Sequence, residues 1–143
     1  YTDKWTVTAA PDGTLTDENG YSYDYLFYES LVKKKAFQTE EGFLVSAEKR
    51  DETFRCILTD YGFNEQEIND FIEYWSNYLK DGADYLMHPM LTNELSFSVK
   101  PDSIYRIWFG FVLYNGDEIE TPEIVPIVRK GFTVVEWGGA VLD

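Results

Sequence analysis

Apolar residues recur at helical spacing in one part of the chain. Phe54, Ile57, Leu58 and Tyr61 fall at i, i+3, i+4 and i+7, and Ile68, Phe71, Ile72, Trp75 and Leu79 form a second stripe. Gly62 stands where the first helix should stop, because glycine accepts the positive φ of a helix C-terminus. Asn64 with Glu67 three residues later is an N-terminal capping pair for the second helix, and Asp81-Gly82 ends it. The pattern predicts an αα-hairpin over about residues 47–80.

Elsewhere the pattern alternates or runs apolar, as strands do. Trp5–Ala9, Thr14–Thr16 and Tyr21–Glu29 are separated by Asp12-Gly13 and Asn19-Gly20, both strong hairpin-turn signals. These segments predict a three-stranded meander. Ser30–Glu41, with Lys33, Lys34 and Lys35, reads as a polar connection, and Gly42–Ser46 as a short strand. After the helices, Tyr85–His88 and Glu94–Val99 are candidate strands, and Ile104–Tyr114 is the longest apolar run and the expected central strand. Glu118–Arg129 contains Pro122 and Pro126, which cannot donate to a ladder, so it reads as an edge or loop. Gly131–Gly139 closes the chain as an apolar core strand with one acid, Glu136, and is expected to end at the Gly138-Gly139 pair. The class that follows is α+β: an antiparallel β-sandwich or twisted sheet with the αα-hairpin inserted. A length of 143 residues suits one domain spanning 1–143.

Composition sharpens this in two ways. Aromatic side chains are abundant, with 4 Trp, 11 Tyr and 10 Phe. Tyr and Trp combine an apolar body with a polar tip, which suits half-buried sheets and contact surfaces. Tyr25, Tyr28, Trp108 and Trp137 are the candidate binding residues. The net charge of −14 argues against nucleic acid and anionic lipid, both of which repel a polyanion. No run approaches the length of a membrane span. A monomer is the working expectation.

The candidate chemistry is sparse. Cys56 is the only cysteine, so an intrachain disulfide is ruled out, and it falls opposite the apolar stripe of its helix. His88 is the only histidine and has no ligand-spaced partner, so it reads as structural. The oxygens of Asp12, Asp17, Glu18 and Asn19 lack the spacing of a calcium loop and belong to turns. No phosphate-binding glycine loop is present, so neither metal nor cofactor is expected. Glu29, Arg106 and Glu136 are the three ionisable residues that interrupt apolar strands. A charge on a buried face needs a partner, so one arginine shared by two acids, a structural ion pair, is the leading expectation. The alternative is a carboxylate pair, Glu29 with Glu136, doing acid–base work on a glycan.

Several stretches together resemble a widespread family of bacterial proteins with no assigned activity. They are Trp5-x-Val7-x-Ala9-x-Pro11-Asp12-Gly13-x-Leu15, Tyr25-Leu26-Phe27-Tyr28-Glu29, Gly42-Phe43, Asn64 to Trp75, Pro101-Asp102-x-Ile104-x-Arg106 and Gly131-Phe132-Thr133-Val134-Val135-Glu136-Trp137-Gly138-Gly139. The resemblance implies a secreted or lipid-anchored protein and a preceding strand segment that this chain lacks. It implies no catalytic residue. The first residue, Tyr1, fits a fragment or a processed form. The functional expectation is an exported or cell-surface module, non-enzymatic, that binds protein or glycan. A glycan hydrolase and a purely structural domain of a larger secreted protein are the alternatives.

Overall fold

A computed structural model of the chain describes residues 4–92 and 95–142. The fold is α+β, and the chain divides into two compact units, the first ending at Leu31 and the second beginning at Val32.

The first unit is the meander that the two hairpin turns predict. Strands β1 (Val7–Ala9), β2 (Leu15–Asp17) and β3 (Ser22–Tyr23) pair antiparallel in that order. Gly13 and Gly20 take φ of +93° and +86°, the left-handed conformation these turns require. Asp12 and Asp17 tighten them. The Asp12 carboxylate accepts from the Thr14 amide at 2.9 Å, and that of Asp17 from the Asn19 and Tyr21 amides at 2.9 Å each. The third strand is much shorter than the alternation over Tyr21–Glu29 suggests. Only Ser22 and Tyr23 pair with β2, and residues 24–31 run on without a ladder.

The second unit is a four-stranded sheet with the αα-hairpin on one face. Its strands are β4 (Phe43–Val45), β5 (Tyr85–Leu91), β6 (Ser103–Leu113) and β7 (Thr133–Val141), in that spatial order. The helices are α1 (Arg50–Asp60) and α2 (Glu65–Tyr78). Asn64 and Glu67 form the expected reciprocal cap: each side chain accepts from the other's backbone amide, at 2.9 and 2.8 Å. Gly62 has φ +84° just past α1. The helix stripes meet the odd-numbered residues of β6, so Phe54, Leu58, Ile68, Phe71 and Trp75 share one core with Tyr105, Ile107, Phe109 and Phe111. Phe71 sits at its centre, edge-on to Phe54, Phe109 and Trp137.

Arg50 does structural work that the sequence pattern does not announce. Its buried guanidinium donates to the carbonyls of Lys80 (2.9 Å) and Ala83 (2.8 Å), just past the end of α2. Positive charge there also suits the helix dipole.

Three expectations need correction. The sheet of the second unit is mixed, because β6 and β7 run parallel. Parallel neighbours need a long crossover, and residues 114–132 supply it without a helix. That crossover is tied across the helical side: the Ile127 amide donates to the Tyr61 carbonyl (2.8 Å), and the Tyr105 hydroxyl to the Val125 carbonyl (2.6 Å). Secondly, β7 is an edge strand, and it continues through Gly138 and Gly139 to Val141 with no turn there. Thirdly, residues 95–99 are irregular, while Glu94 of that candidate strand lies outside the described residues.

Candidate functional site

Two features carry polar or exposed chemistry, and each belongs to one unit. The first is on the sheet of the second unit. Arg106 and Glu136 are direct neighbours across the parallel β6–β7 pair. On both strands alternation turns these side chains away from the helices. The Arg106 Nε donates to Glu136 Oε2 at 2.6 Å, with side chains only 6% and 15% exposed. Trp108, two residues along β6, donates its indole N–H to Glu136 Oε1 at 3.1 Å. The guanidinium carbon of Arg106 lies 4.7 Å from the Trp108 ring centroid, and Phe37 packs on that ring at 6.1 Å. Thr92 accepts a longer bond from Arg106, at 3.4 Å.

This arrangement explains the glycine pair of β7. Gly138 pairs with Trp108, and a Cβ on it would lie 3.1 Å from the indole Cδ1 and Nε1. A Cβ on Gly139 would lie 2.5 Å from the Phe109 carbonyl oxygen and 2.8 Å from the Trp75 ring. Close approach of neighbours, and not a turn, therefore requires glycine at Gly139, where the clash is with backbone, and favours it at Gly138, where the indole would have to give way by a few tenths of an ångström.

The sequence-predicted residues separate. Arg106 and Glu136 come together as an ion pair. Glu29 belongs to the first unit and is exposed. An acid–base carboxyl must present an oxygen to its substrate, whereas the Glu136 oxygens face Arg106 and Trp108. Trp137 is half-buried against Phe71 and Tyr74, so it belongs to the core of the second unit. His88 is buried, and its Nδ1 lies 2.7 Å from the Glu41 carbonyl, which can only accept, so that nitrogen carries the proton. Cys56 is exposed.

The second feature is the surface of the meander. Most described aromatic rings of the second unit are buried or half-buried, but here several are open within one short segment: Trp5 is 55% exposed, Tyr21 67%, Tyr23 44% and Tyr25 53%. Register places Val7, Leu15, Asp17, Tyr21 and Tyr23 on one side of this sheet, since directly paired strand residues share a face. The Tyr23 hydroxyl accordingly reaches the Asp17 carboxylate at 3.3 Å. Desolvation is the largest single influence and raises the Asp17 pKa, but the amide bonds from Tyr21 and Asn19, with the side-chain bonds of Tyr23 and Asn19, together outweigh it and hold that carboxyl below its ordinary value of 3.8. Asp17 therefore stays ionised at neutral pH. Tyr28 is half-buried beside Trp5, with centroids 5.9 Å apart. Sequence reasoning picked out Tyr25 and Tyr28 but missed Trp5, Tyr21 and Tyr23. The available signal was the Tyr-x-Tyr-x-Tyr spacing with small or acidic residues between.

Two buried tyrosines of the second unit give a pH prediction. Burial raises the Tyr105 hydroxyl from 10.0 to about 12, and burial together with Tyr105 and Glu41 raises Tyr61 further. Both phenols keep their protons in the folded state after the unfolded chain has begun to lose them. Their contribution is thus complete below pH 10 and is lost as pH rises through about 12. The urea midpoint should fall between pH 8 and pH 11, and less in Tyr105→Phe. An unchanged midpoint would contradict these shifts.

Among the described residues no helix is long and apolar enough to cross a membrane. No family model matches the chain, and neither the curated proteins nor the solved structures contain a significant match.

Proposed function

We propose that this chain is a non-enzymatic binding module, exported or on the cell surface, that contacts a protein or glycan ligand through the first unit. The observation that supports it is the contrast in aromatic exposure: the second unit leaves only Tyr78, Phe97 and Phe132 open among its described rings, whereas the short meander segment holds Trp5, Tyr21, Tyr23 and Tyr25 in solvent. Exposed rings gathered in one short segment cost solvation and are favoured where a partner covers them. The ion pair of Arg106 and Glu136 then serves to hold the second unit together. The exported location rests on the family resemblance.

The test is a screen of the chain against glycan and polypeptide arrays, beside a Trp5→Ser, Tyr21→Ser, Tyr25→Ser variant. These side chains are open, so circular dichroism and the thermal midpoint should stay unchanged while the hits disappear. Hits that persist in the folded variant, or a screen with no hits, would overturn the proposal.

A further inference from the structure

The meander surface carries a second property besides its rings. Residues 4–31 contain one cation, Lys4, against five carboxylates: Asp12, Asp17, Glu18, Asp24 and Glu29. Asp17 shares a face with Tyr21 and Tyr23, and Asp24 lies between Tyr23 and Tyr25 in the chain. Resting on the binding-module reading above, we infer that the ligand is a basic polypeptide segment, rich in arginine, held by the aromatic faces and carboxylates of the meander.

The chemistry on the page favours that occupant over a neutral glycan. A ring face attracts a guanidinium through its quadrupole, and Trp and Tyr are the stronger acceptors. A carboxylate two or three residues away offers the same guanidinium a charge-assisted bond, in the planar geometry that arginine matches. Asp17 is kept ionised by backbone amides that already occupy Oδ1, while Oδ2 faces the Tyr23 hydroxyl at the surface. The charge of −14 on the whole chain adds long-range attraction for a cationic partner and repels an anionic one. A neutral sugar gains nothing from the carboxylates beyond hydrogen bonding, and their charge would leave its binding independent of salt.

The test is fluorescence anisotropy with the full chain and three probes: a labelled ten-residue Arg-Gly repeat, the same peptide with glutamine for arginine, and a labelled neutral oligosaccharide. Two variants accompany it, Asp17→Asn with Asp24→Asn, and Tyr21→Ser with Tyr25→Ser. Asparagine keeps an oxygen for the turn amides, and circular dichroism checks the fold of both. The arginine peptide should bind, and the glutamine peptide about 10-fold more weakly or worse. Each variant should lose about 10-fold, and binding should weaken between low and high salt. Equal binding of the arginine peptide to the wild type and both variants would assign it to diffuse charge and overturn the inference. Binding of the oligosaccharide, lost in the tyrosine variant but not the aspartate variant, would overturn the inference while leaving the binding module intact. Binding of none of the probes, with glycan and polypeptide arrays also blank, would remove both.

Discussion

Phe71→Ala should lower the stability of the second unit by about 3–5 kcal/mol, the range for removing a fully buried phenylalanine. Phe71 has no exposed surface and its ring stands edge-on to those of Phe54, Phe109 and Trp137, so it joins both helices to β6 and β7. The void left behind cannot close easily, because the surrounding rings are held by one another. Phe71→Leu keeps most of the volume and should cost about 1–1.5 kcal/mol. Urea unfolding monitored by far-ultraviolet circular dichroism reads both. A loss under about 1 kcal/mol for the alanine variant would mean that the core is loosely packed.

The second large effect is expected at the ion pair. Arg106→Met leaves the Glu136 carboxylate in a site with little water, without the cation it faces, although Trp108 still donates to it at 3.1 Å. Breaking a buried pair from one side typically costs about 3–5 kcal/mol, because an uncompensated charge stays behind. Glu136→Gln is milder. The amide is nearly the same size and can still accept from Trp108, so its loss should be smaller than that of Arg106→Met. Both variants should unfold earlier in urea and keep the ligand binding proposed for the meander, since Trp5, Tyr21 and Tyr25 belong to the first unit. A variant that loses binding at full stability would place recognition at Arg106 or Glu136 instead.

Most of the helical region was legible in the sequence, because both its signals are local. The i, i+3, i+4 stripe from Phe54 to Tyr61 and the Asn64–Glu67 cap depend on residues a few positions apart, and the structure shows both. The pairing of Arg106 with Glu136 was also legible, since each interrupts an apolar strand and a buried charge needs its opposite. The direction of β7 was not, because side-chain alternation is the same in parallel and antiparallel pairs. Gly138 and Gly139 looked like a turn, but they are small to admit the Trp108 indole and the Phe109 carbonyl, neighbours that belong to β6. Tyr21–Glu29 alternates like a strand, yet only Ser22 and Tyr23 find a partner, so its rings stay exposed. Arg50 was invisible as a cap because its acceptors, Lys80 and Ala83, lie 30 and 33 residues away.

Arg106 and Glu136 are architecture: their ion pair holds β6 and β7 in register. A double-mutant cycle in urea, comparing Arg106→Met, Glu136→Leu and both together, tests it most directly. The expected result is a loss of about 3 kcal/mol or more for Arg106→Met, and a coupling energy of at least about 1.5 kcal/mol. Single losses under about 0.5 kcal/mol that simply add would contradict the claim.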